Sequence, residues 1–112
     1  FAKRIMHADR VEREVPFTIV KKWGDFMGSR DEHADKNLAV QGIIDCYFEE
    51  DGEIVVVDFK SDYIPRKNLK EVVENRYRIQ IDLYKEALER ITGMKVKESY
   101  IYMLRYDEIV SM

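Results

Sequence analysis

The sequence predicts an α/β (α+β) domain, in which a mixed β-sheet with the element order β-β-β-α-β is flanked by one long helix. Two runs rich in β-branched and aromatic residues are joined by Asp51-Gly52, the dipeptide typical of a type I′ hairpin turn. Residues 69–91 repeat apolar side chains at spacings of three and four, as one face of a helix does. With 112 residues, the chain has the length of one domain.

The first half of the chain predicts three strands. Pro16 opens the first, at residues 17–20, because proline is tolerated at the first position of a strand. The hairpin strands are expected at residues 38–50 and 53–60. The glycine-containing residues 24–37 predict a loop between the first two strands. Three apolar residues at the start of this loop are expected to form a small cover: Trp23, Phe26 and Met27.

The second half predicts the helix and a last strand. Gly93 suits the left-handed position at which a helix ends. Ile79 and Leu83 are expected to widen the apolar stripe of the helix, and residues 95–105 predict a strand. The chain begins at Phe1 and its last residues resemble a strand cut short, so residues 1–112 are expected to be one partial domain, a carboxy-terminal fragment of a larger protein.

Composition excludes several classes of protein. With 46% hydrophobic and 37% charged residues, the chain is not a disordered or low-complexity segment. The net charge of -3 argues against a nucleic-acid binder held by overall electrostatics. No apolar run reaches the roughly 18 residues of a membrane span, so a soluble intracellular protein without a membrane partner is expected. The single cysteine, Cys46, excludes an internal disulfide and a zinc site built on paired cysteines.

Two acids face each other across the predicted hairpin. A two-residue turn fixes the register so that opposed residue numbers sum to 103, which pairs Asp45 with Asp58. Directly opposed residues lie about 4.5 to 5.5 Å apart on one face of the sheet, and both acids have apolar neighbours. The pair therefore combines repulsion with a desolvation cost, and something must compensate it.

Strand alternation places Lys60 on the same face as Asp58. One ammonium group does not neutralise two acids, whereas Mg²⁺ or Mn²⁺ binds carboxylates and carbonyls and keeps positions for a phosphate oxygen. Such an ion would polarise a phosphodiester, and Lys60 could orient the attacking water or stabilise developing charge. The alternative is a salt-bridged structural cluster of Asp45, Asp58 and Lys60 with an arginine; the cross-strand geometry favours the metal.

Further polar residues accompany this pair. Gln80 lies within the apolar stripe of the helix, with Tyr84 one turn later. The two could bind the scissile backbone or brace a catalytic residue, and the alternative is a hydrogen-bonded core amide. Tyr77 could extend that row, although a core aromatic is the simpler interpretation. Glu14 precedes the first strand and could point into the same pocket.

Three motifs in order resemble the nuclease signature of the RecB-like branch of the PD-(D/E)XK superfamily: Gly42-Ile43-Ile44-Asp45, Asp58-Phe59-Lys60-Ser61-Asp62, and Gln80-Ile81-Asp82-Leu83-Tyr84. The first two, extended to residues 41–48 and 57–62, look most like the carboxy-terminal nuclease domain of AddA subunits of bacterial helicase-nucleases. The similarity covers roughly residues 12–105.

The resemblance implies a restriction-endonuclease-like core whose metal ligands are Asp45, Asp58 and the backbone carbonyl of Phe59. It implies Lys60 as the catalytic lysine. Gln80 and Tyr84 match the glutamine-tyrosine motif of the family, and Glu14 matches the acid before its first core strand. These six side chains are the candidate catalytic set: Glu14, Asp45, Asp58, Lys60, Gln80 and Tyr84.

The same resemblance implies Mg²⁺-dependent hydrolysis of DNA, with Mn²⁺ as a substitute. The parent would be an ATP-dependent helicase-nuclease of the bacterial cytoplasm that resects double-strand breaks for recombination. This domain would cut one unwound single strand as an exonuclease, with an AddB-like partner subunit. That substrate follows from the resemblance alone, since no row of exposed aromatics with interleaved basic residues is visible in the sequence to stack bases.

The sequence also departs from the family pattern. The family's first helix, with its histidine, is missing, and His7 is not a convincing substitute, so the fragment is expected to bind metal poorly or to be inactive on its own. One cysteine does not support the iron-sulfur cluster of some RecB-like relatives. Two other functions stay open: a non-catalytic DNA- or partner-binding module that keeps the fold, and a stand-alone structure-specific nuclease.

Overall fold

A computed structural model describes residues 2–22 and 36–112. The elements are α1 Ala2–Met6, β1 Arg10–Lys22, β2 Asn37–Glu50, β3 Glu53–Lys60, a 3₁₀ turn Arg66–Asn68, α2 Leu69–Thr92, β4 Val96–Met103 and β5 Glu108–Ser111. The predicted order of three strands, one long helix and another strand is confirmed, with β5 added at the end. Most of the predicted loop, with its apolar cover of Trp23, Phe26 and Met27, lies outside the described residues.

The described strands form one mixed sheet in the order β1-β2-β3-β4-β5. The pairs β1–β2, β2–β3 and β4–β5 are antiparallel, and β3–β4 is parallel. A parallel pair needs a crossover, and α2 supplies it between β3 and β4. The helix therefore covers one face of the sheet, the face on which Ile54 and Val56 of β3 pack into the main core.

The hairpin turn is as the sequence predicts. Asp51 and Gly52 both have positive φ angles, 55° and 79°, as a type I′ turn requires. Glu50 pairs with Glu53, and the register holds as far as Cys46 with Val57.

The first strand is much longer than predicted. It begins at Arg10 and pairs with β2 over almost its whole length. Pro16 lies inside this strand instead of at its start. The sheet tolerates the missing N–H because β1 is an edge strand.

The helix α2 ends as predicted, at Gly93 in the left-handed conformation. Its buried side chains pack into the main core, and they are Leu69, Val73, Tyr77, Ile81, Tyr84, Ala87 and Leu88. Two predictions on this helix are wrong: Ile79 and Ile91 are exposed, because the core-facing stripe is narrower than the run of apolar residues. None of the helices in the described part of the chain is long and apolar enough to cross a membrane.

The other face of the sheet carries a smaller cluster around Phe48, Val55 and Val57, which α1 covers through Ile5. Arg4 of α1 anchors this cover, because its guanidinium donates to Glu50 and Glu98 at 2.8 to 3.1 Å. We call Arg4, Glu50, Glu98 and Lys97 the turn-end cluster.

Candidate active site

The sheet changes its pleat at Asp45. In β2, Ile44 and Tyr47 both pack into the helix-side core although they are three residues apart, and ordinary alternation would place them on opposite faces. In β1, Val11 belongs to the opposite-face cluster and Val15 to the helix-side core, although they are four residues apart. Both strands therefore exchange faces at the same point.

Glu14 lies at that point in β1. Its neighbours pair as Arg13 with Cys46 and Val15 with Ile44, so Glu14 stands across from Asp45. Its φ angle is 50°, a conformation uncommon outside glycine. The carboxylate of Glu14 is exposed, whereas the two acids of the hairpin lie deeper.

Asp58 is the buried acid of the site. It is 1% exposed and lies on the helix-facing side of β3, with Ile54 and Val56 before it. The ladder of β2 and β3 stops one pair short of it, at Cys46 and Val57. Asp45 Oδ2 instead accepts a hydrogen bond from the backbone N–H of Phe59 at 2.9 Å. This side-chain bond connects β2 and β3 at the open end of the hairpin, the end away from the Asp51-Gly52 turn.

The two acids interact despite the missing ladder pair. Burial raises the pKa of Asp58 to about 6, and its hydrogen-bonding contact with the Asp45 carboxyl acts in the same direction. The Lys60 ammonium opposes both effects and offsets only part of them. At neutral pH the site therefore holds a buried negative charge that the protein neutralises incompletely.

Lys60 contacts this charge from the same face of β3. Its Nζ lies 2.9 Å from Asp58 Oδ2 and 4.9 Å from the ring centre of Tyr77. The ion pair lacks the alignment of a hydrogen bond, and Asp58 Oδ2 is a buried oxygen without a hydrogen-bond donor among the described residues. A buried carboxylate oxygen in that state is costly.

The helix contributes a hydrogen-bonded pair to the same region. Gln80 donates from Nε2 to the Tyr84 hydroxyl at 2.9 Å. Burial raises the pKa of Tyr84, and the charges of Asp58 and Asp45 raise it further, which places this hydroxyl within the field of the acids. Gln80 is half-buried, so its amide is neither a sealed core group nor a fully solvated one.

Tyr77 has a larger part in the site than its sequence position suggested. Its ring supports the Lys60 ammonium, and its hydroxyl donates to Asp62. Arg76 lies 3.8 Å from the same carboxylate. The contact of Asp62 with the helix was not predicted. The signal that could have indicated it is the position of Asp62 two residues after Lys60, at the end of the motif at residues 58–62.

The donor set fits a divalent cation of the magnesium type. Two adjacent carboxylates, one of them buried and neutralised only in part by Lys60, are ligands that such ions prefer. Within residues 2–22 and 36–112, no group of three or more His, Cys, Asp or Glu side chains is placed to hold a metal. Remaining positions would therefore fall to a backbone carbonyl and water, which is usual for Mg²⁺. Phe59, between Asp58 and Lys60, is the residue whose carbonyl is predicted for this purpose.

A cavity of about 680 Å³ lies elsewhere, between the start of α2 and β5, where Arg66, Lys67 and Glu108 line it. Neither acid of the site lines this cavity. We place the candidate site at Asp45 and Asp58, because buried unbalanced charge is a more specific signal of chemistry than concave volume.

Comparison with protein families identifies the kind of domain to which the chain belongs. The family model described as the PD-(D/E)XK nuclease superfamily matches residues 2–109. The chain belongs to this superfamily. The fold class predicted from the sequence is thereby confirmed as that of a PD-(D/E)XK nuclease, with a mixed sheet and one long flanking helix.

Curated relatives of this PD-(D/E)XK domain are named as the A subunit of ATP-dependent helicase/nuclease. The protein from Alkaliphilus oremlandii is 44% identical over 110 residues, and that from Clostridium botulinum strain Loch Maree is 41% identical over 114. Each alignment covers 98% of this chain. The chain spans 9% and 8% of the length of these relatives. The predicted similarity to AddA-type subunits is confirmed.

Proposed function

We propose that this chain is a partial nuclease domain that hydrolyses DNA phosphodiester bonds with Mg²⁺. One observation carries the proposal: Asp58 is buried beside Asp45, and the Lys60 ammonium, 2.9 Å from Asp58 Oδ2, offsets only part of the effect of burying the two acids together. A buried, incompletely neutralised pair of acids is unfavourable by itself and becomes favourable when a divalent cation binds.

Asp45, Asp58 and the carbonyl of Phe59 would hold this ion, and Mn²⁺ would substitute for Mg²⁺. When bound, the ion polarises the scissile phosphate and favours deprotonation of a water molecule. Asp45 also fixes the end of β3 through the N–H of Phe59, so the same side chain positions the segment that carries the other groups.

Lys60 would act on the phosphate and the attacking water. Its ammonium contacts Asp58 and lies over the ring of Tyr77, which restricts the long side chain to one direction. A lysine held in this way can stabilise negative charge that develops on the phosphoryl oxygens. Tyr77 is therefore proposed to position Lys60.

Gln80 and Tyr84 would support the acid pair from the helix. The amide of Gln80 orients the Tyr84 hydroxyl, and this hydroxyl lies in the field of both acids. Glu14 would act from the rim, since its carboxylate is exposed opposite Asp45; its role is that of a group that binds water or substrate.

The names and lengths of the relatives support a wider role. Their names describe an ATP-dependent helicase/nuclease, and they are far longer than this chain. We propose that residues 1–112 are part of the carboxy-terminal nuclease domain of such a protein. The parent would work in the bacterial cytoplasm with an AddB-like partner, and would resect double-strand breaks by exonucleolytic cutting of an unwound single strand.

A non-catalytic module with the same fold is the alternative. The net charge of -3 favours it, as does the finding that no group of three or more His, Cys, Asp or Glu side chains within residues 2–22 and 36–112 is placed to hold a metal. This module would bind DNA or a partner protein without cutting.

Cleavage assays separate the two functions. Labelled single-stranded and duplex DNA would be incubated with Mg²⁺ and the full-length protein that contains residues 1–112, its Asp58→Asn variant, or the matched control Glu50→Gln. We expect cutting by the full-length protein and by the control, and a loss of about 1,000-fold or more in Asp58→Asn. Equal activity in all three would contradict the site, and no activity in any of the three folded proteins would favour the non-catalytic module.

A further inference from the structure

Two tyrosines and two arginines form a strip at the protein surface directly beyond Lys60. Tyr63 and Tyr106 lie with ring centres 6.4 Å apart. The guanidinium of Arg105 lies 5.8 Å from the Tyr63 ring centre, and that of Arg66 lies 5.6 Å from the Tyr106 ring centre. We call these four residues the tyrosine-arginine strip. No local pattern predicts it, because its members come from two segments about forty residues apart.

The strip is fixed to the end of β3 and so to the candidate site. Leu104 donates its N–H to the carbonyl of Lys60 at 2.9 Å, which holds the turn after β4 against that strand. The Tyr106 hydroxyl accepts a hydrogen bond from the N–H of Ile64 and donates one to the carbonyl of the same residue. Tyr106 also packs against the helix-side core, which places the strip at the helix-side edge of the sheet.

Tyr63 provides the solvent-exposed ring of the strip. It is 69% exposed, although it contacts Tyr106 and Arg105. The grouping of this ring with a second tyrosine and two arginines, more than its exposure alone, suggests a binding role. Arg66 pairs with Glu108 in an exposed contact at 3.5 Å, and such pairs contribute little, so its guanidinium stays available to a ligand.

We propose that the tyrosine-arginine strip binds an unpaired DNA strand, with a base stacked on Tyr63 and with Arg105 and Arg66 on the phosphates, and that it leads the strand to Asp58 and Lys60. This inference rests on the proposed nuclease function. Aromatic side chains stack on the flat faces of bases, and arginine adds charge and cation–π contact. In a duplex those faces are already stacked on neighbouring base pairs, so the strip selects single strands.

The test is the affinity for fluorescein-labelled oligothymidylate, measured by anisotropy in EDTA, where no metal is available for cutting. The intact chain would be compared with Tyr63→Ala and with Tyr63→Phe, which keeps the ring. We expect Tyr63→Ala to weaken single-strand binding about tenfold or more and Tyr63→Phe to stay within about twofold, with unchanged melting temperatures because the residue is exposed.

Duplex DNA and Arg105→Gln complete the experiment. The affinity for duplex should change by less than about twofold in Tyr63→Ala, while Arg105→Gln should weaken single-strand binding and reduce its salt dependence. Equal losses on both DNA forms, no loss in Tyr63→Ala, or no binding by the intact chain would overturn the proposal. These outcomes are separate from those at Asp58: failure of cleavage leaves the binding result interpretable, and loss of binding leaves the cleavage result interpretable.

Discussion

The β2–β3 hairpin carries acids at both ends, and the two ends balance their charge differently. At the turn, Glu50 accepts hydrogen bonds from Arg4 and Lys97, and these cations lower its pKa to about 2. At the open end, Asp58 is buried beside Asp45, contacts Lys60, and has its pKa raised to about 6. The charge of Glu50 is therefore balanced by cations of the protein, whereas the charge of Asp45 and Asp58 is balanced only in part and can accommodate a bound cation.

The largest expected effect that separates the two ends is on activity. Lys60→Met removes the cation that contacts Asp58, and we expect DNA cleavage to fall about 100-fold or more. Lys97→Met is the matched control, because it removes the same charge from the turn-end cluster. Steady-state cleavage rates measure both; a loss of similar size in Lys97→Met would mean that the two ends do not differ in function.

The ionisation of Asp58 and that of Glu50 should change the free energy of unfolding in opposite directions as the pH rises. Because the folded pKa of Asp58 lies above its unfolded value, folding favours the protonated acid, and this stabilising contribution is lost as pH rises through about 6. Asp58→Asn should therefore raise the free energy of unfolding in EDTA by about 1–3 kcal/mol at pH 8, and by nearly nothing at pH 4.

Glu50→Gln should behave in the opposite way. The folded pKa of Glu50 is depressed, so its contribution is present above the unfolded pKa and is lost as pH falls through about 2. The variant should be less stable than the parent chain at pH 7, and the difference should vanish at low pH. Urea unfolding at several pH values measures both variants, and a destabilised Asp58→Asn at pH 8 would contradict the raised pKa.

The smallest expected effect concerns the helix. Gln80→Met and Tyr84→Phe each remove one partner of the same hydrogen bond, so their effects on cleavage should not add. A double-mutant cycle on kcat should give a coupling energy of about 1 kcal/mol. Strict additivity would mean that the two side chains act independently and that the pair does not support the acids.

The sequence predicted most of the fold because its signals are local. The Asp51-Gly52 turn, the periodicity of the helix and Gly93 each act within a few residues, and each is found where it was expected. The hairpin register also brought Asp45 and Asp58 to one place. The exchange of faces at Glu14 and Asp45 had no local signal, because it depends on two strands changing pleat together.

The tyrosine-arginine strip was unpredictable for a related reason. Tyr63 and Tyr106 meet through a strand pairing and a turn contact, and neither segment alone has the pattern of a stacking surface. Ile79 illustrates the opposite error, since an apolar residue next to the stripe was expected to be buried and is exposed. Both cases depend on tertiary packing, which the periodicity of one segment does not contain.

Calorimetric titration with Mn²⁺ tests the central claim most directly. The chain, the double variant Asp45→Asn/Asp58→Asn and the control Glu50→Gln would be titrated at pH 7.5 and pH 5. We predict weak but saturable binding by the chain and by the control, still weaker binding at pH 5 because Asp58 is protonated there, and no binding by the double variant. Binding that the double variant retains in full, or that Glu50→Gln loses instead, would contradict the claim that the open-end acids form the metal site.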